Sequence, residues 1–307
     1  MKYDVENRRI WFKGEIVNVN DAKLNVLAPT SQFGLNVFEG IPCYWNDEQK
    51  QLYAFRLDAH YDRLLRSAAL IEINCKYTKE DFKKALIDVI KANEYDENLS
   101  VRQTLFVDGF GSWGSAEPVE MFVAPIPKGR TSAEYNKKGL NVCVTTFERI
   151  SDKNMNPHIK CGANYINSRY GQRQALKNGF DTCIFLNNKG TVAEGPGSCF
   201  FIVKDGTLIT PTLEDSVLES ITRDSIIKIA RSKGIKAEER SIRKEELYDA
   251  DEAFLCGSAM EITPVLSIDK KPIGDGLTDE ITAEIHKAYL DIARGIDKTF
   301  DWVTPIY

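Results

Sequence analysis

Four short stretches in the second half of the chain carry residues that could do chemistry. Lys160 stands at a predicted strand-to-helix junction among small residues, and Glu194 lies at a hairpin end beside glycine. The stretch 218–224 opens a predicted helix, where backbone N–H groups and the Thr222 hydroxyl could hold a phosphate. The small residues of 256–260 let a ligand approach the backbone closely. Taken singly, each stretch also has an ordinary explanation: a solvated lysine, a turn glutamate, a helix cap or a tight turn.

Taken together, these stretches contain the parts of a pyridoxal-phosphate site. Such a site needs a lysine that forms a Schiff base and an acid that pairs with the pyridine nitrogen. It also needs donors that anchor the phosphate. The combination, rather than any one residue, indicates pyridoxal 5'-phosphate as the cofactor.

The sequence resembles the fold-type IV pyridoxal-phosphate enzymes, and among them the branched-chain amino acid aminotransferases. The resemblance extends over nearly the whole chain, and order and spacing agree throughout. It is carried by 10–15, 33–41, 55–56 with His60 and Arg63, 160–167, 192–197, 206–211, 221–227 and 250–265.

The resemblance implies a role for each cofactor residue. Lys160 would be the catalytic lysine, Glu194 would pair with the pyridine nitrogen, and Tyr165 would bind the phenolic oxygen. Leu218 would pack on the face of the cofactor ring. The phosphate contacts that the resemblance implies come from Arg63, Ile221, Thr222 and Ser258.

The resemblance also implies a substrate pocket. Phe33 and Phe38 would wall its hydrophobic part, and the backbone of Ser258 and Ala259 would bind the substrate carboxylate. Arg102 would receive the distal carboxylate of glutamate. The expected reaction is transamination between a branched-chain or other apolar L-amino acid and 2-oxoglutarate.

Several positions near the substrate depart from the family pattern. Pro42 stands where the family often has arginine, Ser100 replaces a common tyrosine, and Met260 replaces a small residue. These departures keep open a fold-type IV aminotransferase for a D-amino acid, an (R)-amine or a specialised substrate. A noncatalytic scaffold that keeps the fold is a further alternative, against which the joint presence of Lys160 and Glu194 argues.

Two domains of an α/β fold are expected to position these residues. We predict a small α+β domain over 1–125, an interdomain loop over 126–135, and a larger β-barrel-like cofactor-binding domain over 136–307. The prolines and glycine of 125–129 favour the loop, since proline donates no hydrogen bond to a central strand. The resemblance implies that the cofactor lies between the domains and that the enzyme is at least a homodimer.

Apolar spacing places the main helices and hairpins. Helices are predicted over 57–70, 79–93, 163–177, 222–233 and 279–294, and hairpins over 10–17 with 22–26 and over 199–203 with 207–210. The glycines of 109–114 match a dinucleotide-binding spacing, but the following Pro118 leads into a strand rather than a helix. We therefore expect a loop there.

Composition excludes several other classes of protein. Of the 307 residues, 40 are basic and 45 acidic, for a net charge of −5. The chain therefore lacks the surplus of basic residues that is typical of nucleic-acid-binding proteins. No apolar run is long enough to span a membrane, and no apolar signal core follows the first residues. The seven cysteines are odd in number and lack a Cys-x-x-Cys spacing, which indicates reduced thiols in a cytosol rather than a disulfide framework. The three histidines are isolated, which argues against a zinc site, and we expect no metal. We expect a cytoplasmic enzyme whose partners are a small amino acid and a 2-oxo acid.

Overall fold

The computed structural model describes residues 6–129, 139–274 and 280–307. Its contacts divide the chain into two units. The first comprises Met1–Ser132, Ile159–Ala163 and Asp291–Tyr307, and the second comprises Ala133–His158 and Asn164–Leu290.

An antiparallel sheet forms the centre of the first unit. Its strands are β1 (Arg9–Phe12), β2 (Glu15–Asn18), β3 (Asn36–Asn46), β4 (Gln51–Phe55), β5 (Asn98–Val107), β6 (Val119–Gly129) and β15 (Val303–Pro305). They lie in the order β15-β4-β3-β5-β6-β1-β2.

Three helices accompany this sheet: α1 (Pro29–Phe33), α2 (Leu57–Leu70) and α3 (Lys79–Asn93). The apolar faces of α2 and α3 join the sheet in one core, because their buried residues recur at helical spacing. Thr78 caps α3 by accepting a hydrogen bond from the Asp81 N–H at 3.2 Å. The helices predicted over 57–70 and 79–93 are confirmed.

A mixed sheet forms the second unit. Its strands are β7 (Leu140–Glu148), β8 (Thr182–Leu186), β9 (Cys199–Lys204), β10 (Thr207–Thr210), β11 (Ala237–Glu239), β12 (Glu252–Gly257), β13 (Glu261–Ile268) and β14 (Lys271–Pro272). Their order is β11-β10-β9-β12-β13-β7-β8, with β14 beside β13. Strand β7 runs parallel to β8 and β13, and β10 runs parallel to β11.

The later helices are α4 (Tyr165–Lys177), α5 (Ile221–Ser232) and α6 (Glu280–Ala293). Short 3-10 turns cover Val19–Asp21, Leu213–Asp215 and Lys244–Tyr248. The helices predicted over 163–177 and 222–233 are confirmed to within two residues. The helix predicted over 279–294 is confirmed over Glu280–Ala293, and residue 279 lies outside the described residues. The predicted α/β fold class is confirmed.

The predicted loop over 126–135 is wrong for its first residues, because β6 continues to Gly129. Pro125 pairs with Val101 and Pro127 with Leu99 of β5. The two prolines are separated by one residue, so both nitrogens face the same side, away from β5. Among the described residues, β1 lies on that side only at Phe122 and Val123, so the prolines occupy an edge, where they are tolerated. Residues 130–135 lie outside the described residues.

Two segments predicted to lie in the domain over 136–307 belong to the first unit. Ile159–Ala163 joins it through a bridge between Cys161 and Val37 of β3. Asp291–Tyr307 joins it because β15 pairs with β4. Both links are pairings between backbone segments distant in the chain, and local sequence does not indicate them.

The first hairpin is shorter than predicted. It turns at Lys13 and Gly14, whose φ angles are 52° and 104°, and β1 pairs with β2. Residues 22–26 lie outside any strand, so the predicted partner is wrong. The hairpin of β9 and β10 is confirmed, as is the absence of a helix after the glycines of 109–114.

Other sequence expectations concern membranes and metals. No helix in the described ranges is long and apolar enough to cross a membrane. Within the same ranges, no cluster of histidine, cysteine and acidic side chains could hold a metal ion.

Candidate functional site

The backbone of Lys160 is held by the start of β3. Its carbonyl accepts a hydrogen bond from the Phe38 N–H at 3.0 Å, and its own N–H donates to Ser67 Oγ of α2 at 3.2 Å. Because the peptide groups on both sides of the Lys160 α-carbon are hydrogen-bonded, the half-buried Lys160 side chain starts from a defined position in the first unit.

Two basic side chains lie against the ring of Phe38. The Arg102 guanidinium carbon lies 4.1 Å from the ring centroid, and Lys160 Nζ lies 5.1 Å from it. Arg102 on β5 is paired with Gly40 on β3, so Phe38 is its diagonal neighbour on the same face. The structure thus brings together three of the predicted site residues of the first unit.

Arg63, the predicted phosphate ligand, lies in a buried ion-pair cluster. Its Nε and one terminal nitrogen donate to the two Glu39 carboxylate oxygens, each at 2.7 Å. His60 Nδ1 lies 2.7 Å from Glu39 Oε2. All three side chains are almost fully buried. We call these residues the Glu39 cluster.

Electrostatics define the charges of the Glu39 cluster. Burial would raise the pKa of Glu39, but the Arg63 guanidinium and the His60 ring hold it far below its ordinary range. Burial lowers the pKa of His60, against the opposing effect of Glu39, and the charges of Arg63 and Lys160 lower it further. His60 is therefore neutral near pH 7 and donates from Nδ1 to the carboxylate. Its buried Nε2 has no hydrogen-bond partner in the part of the chain that the structure describes.

Glu194 precedes a tight turn beside β8 in the second unit. Its carbonyl accepts from the Phe185 N–H at 2.9 Å, which fixes its backbone. Its carboxylate is buried and accepts from the Leu218 N–H at 3.2 Å. A Cβ at Gly195 would lie 2.5 Å from Ser198 Oγ and 3.1 Å from a Leu255 methyl group, so the turn after Glu194 is closely packed. Two predicted residues, Glu194 and Leu218, are thereby brought together.

Arg149 is a site residue that sequence reasoning missed. Its terminal nitrogen lies 2.7 Å from Glu194 Oε1, and both side chains are buried. A second terminal nitrogen donates to Asn167 Oδ1 of α4 at 3.0 Å. Arg149 gives the buried carboxylate a counter-charge. No local pattern marks it, since its partner lies far along the chain.

Ile221 and Thr222 form the first turn of α5, and both are buried. Ser220 caps this helix by accepting a hydrogen bond from the Arg223 N–H at 3.2 Å. The first N–H groups of a helix have no partner within it, and they favour anions. This helix start follows Leu218 closely, so one short segment carries both the N–H that binds Glu194 and a helix start of the kind that favours anions.

Tyr165, Ser258 and Ala259 lie near the turn that follows Glu194. A Cβ built on Gly197 would be 3.7 Å from the Tyr165 ring, and Tyr165 and Pro196 line one surface hollow of about 360 Å³. Ser258 and Ala259 form the turn between β12 and β13. That turn starts at Gly257, where an added Cβ would be 3.3 Å from the Gly197 carbonyl.

Phe33 is the predicted pocket residue that the structure does not bring to the others. It ends α1 and is 42% exposed. Its predicted role as a pocket wall stays a prediction.

Comparison with known proteins shows a match to one protein family. The model described as amino-transferase class IV matches residues 36–268 of the chain. A probable branched-chain-amino-acid aminotransferase of Aquifex aeolicus is 33% identical, over 97% of this chain and 96% of its own length. The branched-chain-amino-acid aminotransferase of Escherichia coli strain K12 is 35% identical, over 93% of each chain.

Solved structures agree with this match. The PLP form of the branched-chain amino acid aminotransferase from Thermobaculum terrenum aligns with a TM-score of 0.93 at 35% identity, covering 99% of this chain and 100% of its own. The T.th. branched-chain amino acid aminotransferase, in complex with N-(5'-phosphopyridoxyl)-L-glutamate, aligns with a TM-score of 0.92 at 30% identity, with the same coverage.

His60 in the Glu39 cluster predicts acid-sensitive stability. Its pKa is lower in the folded chain than in the unfolded chain, so the unfolded state binds more protons below about pH 6.5. The stability that neutral His60 contributes is therefore present above that pH and is lost as the pH falls further. His60→Gln, which keeps a donor for Glu39 without titrating, is expected to reduce the loss of unfolding free energy between pH 7.5 and 5.5 by about 1 kcal/mol.

The measurement is denaturant unfolding of wild type and variant at both pH values. His158→Gln in the second unit is the matched control and should leave the wild-type pH dependence in place. A pH dependence identical in wild type and His60→Gln would contradict this account of the Glu39 cluster.

Proposed function

The chain belongs to the class IV aminotransferases, which use pyridoxal phosphate, and we propose that it exchanges amino groups between branched-chain or other apolar L-amino acids and 2-oxoglutarate. The names of its relatives, similar over more than nine-tenths of the chain, support the branched-chain donor. The glutamate-derived ligand of one structural relative supports a dicarboxylate as the second substrate.

The donor set of the chain fits the cofactor. The first unit offers the amine of Lys160 and the buried guanidinium of Arg63, which suit an aldehyde and a phosphate. The second unit offers the buried carboxylate of Glu194 for a basic ring nitrogen and the start of α5 for the phosphate. We assign the phenol of Tyr165 to the cofactor's phenolic oxygen. Each group in this set has a chemically matched part of pyridoxal phosphate.

We assign the remaining contacts by the same matching. Leu218 would pack against the ring, and Ile221, Thr222 and Ser258 would bind the phosphate. Ser258 and Ala259 would offer backbone N–H groups to the substrate carboxylate. The support for these assignments is local: Ile221 and Thr222 lie in the first turn of α5, where helix N–H groups favour anions, and Ser258 and Ala259 lie in the turn between β12 and β13.

The observation that carries the proposal is the environment of Phe38. A reactive amine, an apolar aromatic ring and a guanidinium lie together in the first unit. An amine is needed for the chemistry, an apolar wall suits leucine, isoleucine and valine, and a guanidinium suits the second carboxylate of glutamate. This combination matches a transaminase that accepts both kinds of side chain.

When bound, pyridoxal phosphate supplies an aldehyde for the substrate amine and a ring that withdraws electrons from the substrate α-carbon. Lys160 then holds and moves the proton of that carbon. Glu194, paired with Arg149 and with the Leu218 N–H, holds a proton at the ring nitrogen. Arg63 holds the phosphate, and its own position is set by Glu39.

We also propose that the enzyme works in the cytoplasm as at least a homodimer. The seven cysteines are free thiols, as expected in a reducing compartment. In the first unit, Val26, Phe110 and Trp113 are each more than three-quarters exposed. Such large exposed apolar side chains support a further protein surface covering them.

A panel of amino donors tests the function. We expect the wild type to convert leucine, isoleucine and valine with 2-oxoglutarate, and Lys160→Ala to abolish turnover because the variant has neither the reactive amine nor the base. Lys153→Ala removes an exposed lysine and should keep full activity. The panel includes D-amino acids and (R)-amines. Activity on those donors alone would replace the proposed substrate with the alternative within the family.

Glu194→Gln should keep the cofactor but turn over more slowly. A neutral amide does not keep the ring nitrogen protonated, and a loss of about 10²- to 10³-fold in kcat is typical for one preorganised electrostatic contact. The measurement is kcat with cofactor occupancy confirmed by absorbance. Glu214→Gln, an exposed glutamate of the same unit, is the control. Unchanged kcat in a fully loaded Glu194→Gln enzyme would exclude the role.

Arg102→Ala should harm the dicarboxylate substrates selectively. Without the guanidinium, the distal carboxylate of glutamate or 2-oxoglutarate is desolvated without a partner, which costs about 2–5 kcal/mol in the specificity ratio. Leucine needs no such partner. The measurement is kcat/KM for both half-reactions, with Arg66→Ala on α2 as the control. Equal losses for glutamate and leucine would contradict the selective role.

A further inference from the structure

The Glu39 cluster contains a polar atom that the packing of the first unit leaves unused. His60 Nε2 is buried and has no hydrogen-bond partner among the residues that the structure describes. The His60 side chain is only 1% exposed, so this nitrogen is also out of contact with bulk water. A buried acceptor without a partner costs free energy, and folded proteins contain few of them. The position of Nε2 therefore calls for a physical reason.

The geometry of the Glu39 cluster places the imidazole beside the Arg63 guanidinium. His60 and Arg63 are three residues apart on α2 and so lie on one face of that helix. Glu39 Oε2 lies 2.7 Å from His60 Nδ1 and 2.7 Å from a terminal nitrogen of Arg63. Because both groups contact the same buried oxygen, a charge added at Arg63 acts on the imidazole over a short distance with little solvent screening.

The charges of the Glu39 cluster balance as long as no anion is bound to it. The Glu39 carboxylate cancels the Arg63 guanidinium, and His60 is neutral. The charges that act most strongly on His60 are those of Glu39 on β3, Arg63 on α2 and Lys160 in the 159–163 segment. Glu39 raises the pKa of His60, whereas burial, Arg63 and Lys160 lower it.

A phosphate bound at Arg63 upsets this balance. A phosphate monoester carries a charge of about −1.5 to −2 at pH 7, and the charge of Arg63 is already offset by Glu39. The anion would therefore share a buried region with a second anion, the Glu39 carboxylate. A nearby negative charge favours the charged form of a histidine, so the pKa of His60 rises when the phosphate arrives.

We propose that His60 takes up a proton on Nε2 when the phosphate of the cofactor binds at Arg63. The inference rests on the proposed function, which assigns this phosphate to Arg63, and it adds His60 as a residue that compensates charge. The proton comes from solvent. Since Nδ1 already carries the hydrogen that it donates to Glu39, Nε2 is the ring nitrogen left to receive the proton.

Histidine suits this task better than a permanent cation would. A lysine or arginine at position 60 would add a buried positive charge without a compensating partner whenever no phosphate is bound. Histidine titrates near neutral pH, so its charge can be present with the ligand and absent without it. The consequence is that cofactor binding takes up a proton. Affinity for the cofactor therefore rises as the pH falls towards the pKa of His60 in the free chain.

Nitrogen NMR of labelled histidine observes the proton directly. The chain has three histidines, so the spectra of His158→Gln and His286→Gln assign the signals of His60 by elimination. The full chain is measured at pH 7.5 free of cofactor, with pyridoxamine 5'-phosphate, and with pyridoxamine, which lacks the phosphate. We expect His60 to be neutral in the free chain and with pyridoxamine, and to carry protons on both ring nitrogens with pyridoxamine 5'-phosphate.

Calorimetry gives a second measurement that is independent of turnover. Binding of pyridoxamine 5'-phosphate in buffers of different ionisation enthalpy reports the protons taken up, and the wild type should take up about one proton more than His60→Gln. The wild-type dissociation constant relative to that of His60→Gln should fall by about 3- to 10-fold between pH 8.5 and 7.5, since one linked proton gives at most about tenfold per pH unit. His158→Gln is the matched control and should behave as the wild type.

A His60 ring that stays neutral with pyridoxamine 5'-phosphate, or one that is already charged in the free chain, would overturn the inference while the proposed function stands. Equal proton uptake by wild type and His60→Gln would do the same. If His60→Gln does not fold, the NMR measurement on the wild type decides alone. A chain that binds no pyridoxamine 5'-phosphate would overturn both proposals. A chain that protonates His60 but converts no leucine with 2-oxoglutarate would overturn only the proposed function.

Discussion

The alternation of side chains along β3 is the constraint on which the site residues of the first unit depend. Successive side chains of a strand point to opposite faces of the sheet. Phe38 contacts Lys160 and Arg102, whereas its neighbour Glu39 contacts Arg63 and His60 of α2. A one-residue slip of register would exchange the two faces, placing a carboxylate where the ring stands. The ladder of β3 with β5, from Asn36 to Cys43, prevents this slip, so a run of backbone hydrogen bonds specifies the chemistry of two different faces.

Each unit buries a carboxylate against an arginine, and the two pairs have the same physical logic. Glu39 with Arg63 and Glu194 with Arg149 are almost fully buried, so either charge without its partner would be strongly destabilising. Such a pair contributes little net stability compared with apolar packing. What it provides is a charged group in one defined orientation before any ligand binds, which is the requirement for electrostatic catalysis.

Much of this molecule is predictable from local sequence, and its failures share one cause. Helices α2 and α3 match their predicted ranges because apolar spacing is a local signal. Lys160 and Glu194 are predicted as site residues because their combination with other local patterns, and the resemblance to a known family, adds to what each pattern shows alone. Arg149 is missed because a buried ion pair between distant residues leaves no local trace. The strand at 125–129 is missed because a strand accepts proline only where the proline nitrogen faces no neighbouring strand. Which side of β6 has a neighbour depends on the tertiary structure and not on local sequence.

Strand β15 has a consequence for how the chain is made. It covers the free side of β4, and the Trp302 carbonyl accepts a hydrogen bond from the Arg56 N–H immediately before α2. These residues leave the ribosome after the entire second unit has been synthesised. Until then, β4 presents unpaired backbone groups at a sheet edge, the kind of surface that recruits other chains. Completion of the first unit is therefore a late event in biogenesis. Strand β4 is translated early, so its unpaired edge is exposed to other chains until β15 has been synthesised.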